Sequence, residues 1–166
     1  MQMADKSKKT RRAIIIMAAA AVILSMCAIM LNIQSILLFL QSGGRVEDGL
    51  LPGVDASEHI DSVPHGEIRY LINKNVYFRN YHSKGNIMLE NPESSEYDLK
   101  IMIMTEDGKT IYTSPELKPG QYLENDKLSS VVKPGVYDCT YYACAYVNGE
   151  YCGEVTGTLS VTVSNA

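Results

Sequence analysis

The chain spells none of the motifs that announce common chemistry. There is no H-E-x-x-H, no phosphate-cradling glycine loop, no dinucleotide fingerprint and no G-x-S-x-G elbow. These absences argue against an enzyme, so no catalytic, cofactor-binding or metal residue is assigned and no cofactor is expected. His59, His65 and His82 lack the paired spacing of metal ligands and read as exposed histidines, and Cys139-x4-Cys144-x7-Cys152 lacks the C-x2-C pairs of a zinc site. Basic charge is also missing where it would matter. After Leu40 the chain has ten Lys/Arg against eighteen Asp/Glu, a balance near −8, which argues against nucleic acid or anionic lipid as a partner held through a basic surface. Tryptophan is absent and phenylalanine occurs twice, so the aromatic surface is tyrosine: eleven of them, all after Gln41.

A second kind of absence organises the chain. Residues 13–40, AIIIMAAAAVILSMCAIMLNIQSILLFL, contain no charge, glycine or proline, and follow Lys6, Lys8, Lys9, Arg11 and Arg12. A helix needs about 20 apolar residues to cross a bilayer core, and basic residues at one end keep that end cytoplasmic. We therefore read 1–12 as a basic cytoplasmic tail, 13–40 as an uncleaved transmembrane signal-anchor helix, and everything beyond as extracytoplasmic. A cleaved signal peptide is the alternative, but its apolar core is shorter and ends at a small-x-small site, whereas Ala18 to Ala21 come too early. Ala21 with Ser25, and Ala28 with Asn32, have the four-residue spacing of close helix packing, but without the glycine of that motif a plain anchor is the simpler reading.

Residues 41–65 hold Gly43-Gly44, Gly49 and Pro52-Gly53 with no sustained period, and read as a flexible linker. Asp55, Glu58, His59 and Asp61 lack the order of a calcium loop and read as its solvated charges. From residue 66 to 166 the period is two and turn residues recur every eight to twelve positions, the pattern of an all-β sandwich or barrel. Strands are expected at Glu67–Ile72, Val76–Asn80, Asn86–Glu90, Tyr97–Met104, Thr110–Ser114, Gln121–Glu124, Gly135–Val147 and Glu150–Ser164.

The last two strands carry their apolar residues on odd numbers: Tyr137, Cys139, Tyr141, Ala143 and Ala145 on one, Val155, Gly157, Leu159, Val161 and Val163 on the other. Facing residues share a face, so paired numbers must have an even sum. A three-residue loop, Val147-Asn148-Gly149, satisfies this with a sum of 296, setting Tyr137 against Leu159 and Tyr141 against Val155. The same argument at Glu106-Asp107-Gly108 sets Ile103 against Ile111. It also places Cys144 opposite Cys152, within disulfide reach, and leaves Cys139 as a buried thiol. The alternative is that all three are small apolar residues. Tyr142 and Tyr146 fall on the face opposite Tyr137 and Tyr141, either as ordinary sheet surface or as a contact patch.

Pro134-Gly135-Val136-Tyr137-Asp138-Cys139 resembles the G-x-Y-x-C segment of immunoglobulin-type sandwiches, whose tyrosine forms the tyrosine corner. The resemblance implies an immunoglobulin-like antiparallel β-sandwich in which Tyr137 caps the start of a strand, without the usual inter-sheet disulfide or core tryptophan. With Gly85-Asn86-Ile87-Met88-Leu89-Glu90-Asn91-Pro92 and Ile111-Tyr112-Thr113-Ser114 followed by Pro119-Gly120, the overall plan is similar to small single-pass surface proteins of Gram-positive bacteria. The expected function is a membrane-anchored binding module outside the cell, contacting a protein, a glycan or its own copies as a homo-oligomer. The alternative is an accessory subunit of a membrane-embedded secretion or transfer complex.

Overall fold

A computed structural model describes residues 44–165. Among the described residues no helix is long and apolar enough to cross a membrane, and the expected tail (1–12) and span (13–40) lie outside them. The described chain is all-β. Its strands are β1 (Glu47–Asp48), β2 (Asn75–Phe78), β3 (Lys84–Gly85), β4 (Leu89–Asn91), β5 (Asp98–Thr105), β6 (Thr110–Thr113), β7 (Gln121–Leu123), β8 (Asp126–Lys127), β9 (Gly135–Val147) and β10 (Glu150–Val163). They form two sheets, ordered β1-β7-β4 and β6-β5-β9-β10-β2-β3-β8.

One apolar cluster joins the sheets. Leu89 and Leu123 come from the small one, and Ile101, Ile103, Ala143, Leu159 and Val161 from the large one, all within 5% of complete burial. This is the period-two pattern at work: odd positions of β9 from Cys139 to Ala145 are buried while the even ones are not. Two sheets sharing one core are compatible with a β-sandwich. The pairing is not wholly antiparallel as expected, because β2 runs parallel to β10, with Val76 beside Val161 and Phe78 beside Val163. These strands are far apart in sequence, so no hairpin dictates their direction.

Both expected hairpin registers are corrected by bulges. In the last hairpin, Asn148 (φ 53°) and Gly149 (φ 80°) form a two-residue turn, the left-handed pair that a primed turn requires, and Val147 faces Glu150. The register then shifts between Tyr151 and Gly153, after which Tyr141 faces Gly157, Cys139 faces Leu159 and Tyr137 faces Val161. The even sum is thus kept, at 298 rather than 296, with one extra residue absorbed inside the strand and not in the loop. In the β5–β6 hairpin a shift between Ile103 and Met104 brings Ile103 opposite Tyr112 rather than Ile111. The bulge allows two consecutive residues, Ile111 and Tyr112, to be buried together.

The stretch read as a linker is tied to the fold over its described part. β1 pairs with β7, Gly49 N–H donates to Gly120 O at 2.8 Å, and Val63 N–H donates to Ser94 Oγ at 3.0 Å. Leu51 is buried, and its N–H donates to the Glu90 carboxylate at 2.7 Å. Glycine and proline here shape a packed irregular path, which composition alone does not separate from a flexible one. Glu67–Ile72, expected as a strand, contributes a single bridge from Leu71 to Glu90.

Candidate functional site

Even residues of β9 place Tyr142, Cys144 and Tyr146 in a row on the outward face of the large sheet, each half-buried. On one side they face Met102, Lys100 and Asp98 of β5; on the other, Tyr142 faces Thr156 and Cys144 faces Glu154 of β10. Tyr151, exposed, meets Tyr146 edge to face with ring centroids 5.8 Å apart. Partial burial and then the neighbouring Cys144 raise the Tyr146 pKa; for Tyr151 the causes are burial and then Glu154. Both hydroxyls therefore stay protonated over the physiological range and serve as neutral donors and acceptors on a flat apolar surface.

The corrected register separates the cysteines. Cys144 lies across from Glu154, with Sγ 3.8 Å from a carboxylate oxygen, while Cys152 occupies the bulge with Sγ 3.4 Å from Glu150 O. Cys139, Cys144 and Cys152 are free thiols in this structure, Cys139 being buried as expected. Burial pushes the Cys139 thiol up to about 11, and burial followed by the Glu154 charge raises that of Cys144. Both shifts disfavour the thiolate, the reactive form.

A second site, which spacing did not signal, lies on the inward side of the same hairpin. The Tyr141 hydroxyl oxygen accepts from Lys74 Nζ at 2.5 Å and from the Tyr70 hydroxyl at 3.2 Å. Lys74 Nζ also sits 4.2 Å from the centre of the Tyr141 ring, and Tyr70 meets that ring edge-on at 6.1 Å. Burial and then the Tyr141 hydroxyl raise the Tyr70 pKa. These residues floor a groove of about 400 Å³ walled by Ile60, Ile68, Ile72 and Val155. Among the described residues no carboxylate pairs with Lys74. Gly157 is what lets the Tyr141 hydroxyl reach this position, since a Cβ there would overlap it.

His59 and Glu90 form the other unforeseen pair. His59 Nδ1 lies 3.0 Å from both Glu90 oxygens, with the His59 side chain 8% exposed and the Glu90 side chain 1%. A buried carboxylate needs such partners, and the Leu51 N–H supplies another, so the arrangement accounts for how residues 51–59 are held down. The expected surface position of His59 is corrected accordingly. Asp55, its neighbour in sequence, instead accepts from Ser57 N at 3.0 Å and Ser57 Oγ at 2.8 Å, a local turn. Among the described residues no group of three or more His, Cys, Asp or Glu is placed to hold a metal ion. Tyr137 donates its hydroxyl hydrogen to Lys133 O, four residues upstream, at 2.7 Å. Comparison with family models, with curated proteins and with solved structures found no match.

Proposed function

We propose that this chain is a single-pass, membrane-anchored binding module whose immunoglobulin-like β-sandwich lies outside the cell, with its N-terminus cytoplasmic. The observation that carries the binding role is the outward face of β9, where Tyr142 and Tyr146 are half-exposed and Tyr151 packs on Tyr146. Aromatic faces with protonated hydroxyls at their rims make contact area at small conformational cost, the chemistry of a protein or glycan interface. Two features support the immunoglobulin-like reading: two sheets around one core, and the Tyr137-to-Lys133 hydrogen bond, which is the contact of a tyrosine corner. The anchor and its orientation rest on residues 6–40 of the sequence.

The test uses the full-length chain in its native membrane with a photo-crosslinking benzoylphenylalanine at position 146 and, in a separate protein, at Ser129. Light-dependent adducts at 146 and none at 129 are expected; equal labelling, or none at either, contradicts the contact face. Protease added to intact cells should remove the β domain and spare the N-terminus. Replacing residues 13–40 with an unrelated apolar helix separates this reading from the accessory-subunit alternative, which requires the native helix for adduct formation.

A further inference from the structure

β10 is paired on both sides over its last part only. From Ser160 to Val163 it lies between β9 and β2, but β2 begins at Asn75, and before that residue the chain turns away to bridge Leu71 with Glu90 of the other sheet. The place in the sheet beside residues 154–158 is therefore empty among the described residues. The direction of the backbone groups there follows from the ladder. Ser160 N–H donates to Lys74 O and Ser164 N–H to Phe78 O, so even-numbered groups point away from β9. With a period of two, the N–H and C=O of Glu154, Thr156 and Thr158 point into the empty place, and among the described residues they have no backbone partner. The Lys74–Tyr141–Tyr70 groove opens beside this edge, sharing Val155 with it.

We propose that this edge and groove together take an extended segment of a partner polypeptide by strand addition, with apolar side chains alternating toward the groove and one carboxylate reaching Lys74. Main-chain hydrogen bonds to Glu154, Thr156 and Thr158 hold the strand, and the groove reads alternate side chains. Ile60, Ile68, Ile72 and Val155 receive the apolar residues. Lys74 Nζ, which donates to the Tyr141 hydroxyl and has no carboxylate partner among the described residues, supplies the charge complementarity. A second copy of this chain is a poorer occupant. Residues 154–158 of β10 carry Glu154 and no basic residue, so edge-to-edge copies would bring two carboxylates and no cation to the seam and leave Lys74 unpaired. The bulge between Tyr151 and Gly153 limits the usable edge to the side of Glu154 toward Ser160. This site is separate from the tyrosine face and does not depend on that face binding anything.

The probe is a short acetylated peptide alternating valine and threonine, with a single glutamate in place of one valine and its position scanned. Residue-resolved amide exchange on the full-length protein is the readout. Adding peptide should slow exchange at Glu154, Thr156 and Thr158 and leave Val161 and Val163 unchanged. Lys74→Met should weaken binding of the glutamate peptide by about tenfold and leave the glutamine version unaffected. Thr156→Pro removes an N–H that has no backbone partner among the described residues, so it should preserve the unfolding midpoint and abolish binding. No slowing at saturating peptide, slowing elsewhere in the sheet, or equal binding by the Thr156→Pro protein overturns the proposal. Slowing at Thr156 that appears without peptide as protein concentration rises also overturns it, in favour of self-pairing.

Discussion

The two ends of β10 share a strand, a hairpin partner and an alternating sequence, yet behave differently. From Leu159 onward every odd residue is buried: Leu159 at 5% exposure, Val161 at 0% and Val163 at 2%. Before Leu159 no residue of the strand is buried, and Val155 is 38% exposed although it alternates with threonine in the same way. The difference is β2, which flanks the last part and not the first. Burial on a strand is thus set by its lateral neighbours as much as by its own pattern, and an edge can carry core-like residues without belonging to the core.

The sharpest way to break this comparison is to place the same charge at both ends. Val161→Asp puts a carboxylate in the closed core and should destabilise by more than about 4 kcal/mol, whereas Val155→Asp should stay within about 1 kcal/mol. Urea unfolding of the full-length chain measures both, and equal losses would erase the distinction. Next in size is Gly157→Ala, whose new methyl meets the Tyr141 hydroxyl held by Lys74 and Tyr70, at a cost of about 1–3 kcal/mol. In a Tyr141→Phe background much of that cost should vanish; if it does not, the backbone and not the hydroxyl is the obstacle. Gly149→Val, at φ 80° with open space around it, should lose about 1–2 kcal/mol from backbone strain alone, seen as a lowered unfolding midpoint. An unchanged midpoint would contradict the turn from which the open end departs.

The smallest effect comes from the exposed His65–Glu96 pair, Nδ1 to carboxylate at 2.6 Å. The Glu96 hydrogen bond raises the His65 pKa above 6.5, so that contribution is complete below the unfolded histidine value and is lost as pH rises through the folded one. The His65 hydrogen bond lowers the Glu96 pKa below 4.5, so that part is present above the unfolded carboxylate value and is lost as pH falls through the folded one. Solvent screening keeps both small. Replacing His65 with Gln should slightly flatten the midpoint-against-pH profile between the carboxylate and histidine ranges, and a large change there would mean the pair is not solvent-exposed.

Sequence reading recovered the elements whose signal is local. β9 spans Gly135–Val147 as the alternation from Gly135 and the Asn148-Gly149 turn demand, and the all-β class follows from the same pattern. The even parity of the last hairpin was legible because a one-residue slip would bury threonines. The actual register was not, since a bulge at Cys152 and a longer loop satisfy parity equally well. The Cys144–Cys152 pairing was drawn from that register, and Cys144 faces Glu154 instead. Lys74 with Tyr141, and His59 with Glu90, meet across sequence separations of 67 and 31 residues, so no spacing rule announces them. The lone lysine before a strand and the glutamate among apolar residues are ordinary until the fold brings their partners.

Residue-resolved amide exchange across β10 of the unliganded full-length chain addresses the central contrast directly. If residues 154–158 form a one-sided edge, Val155 and Gly157, which point to β9, should be protected while Glu154, Thr156 and Thr158 exchange freely. From Ser160 to Val163 odd and even amides alike should be protected, the odd ones by β9 and the even ones by β2. Uniform protection from Glu154 to Thr158 would mean that a neighbouring strand already fills the place beside β10, and would contradict the account.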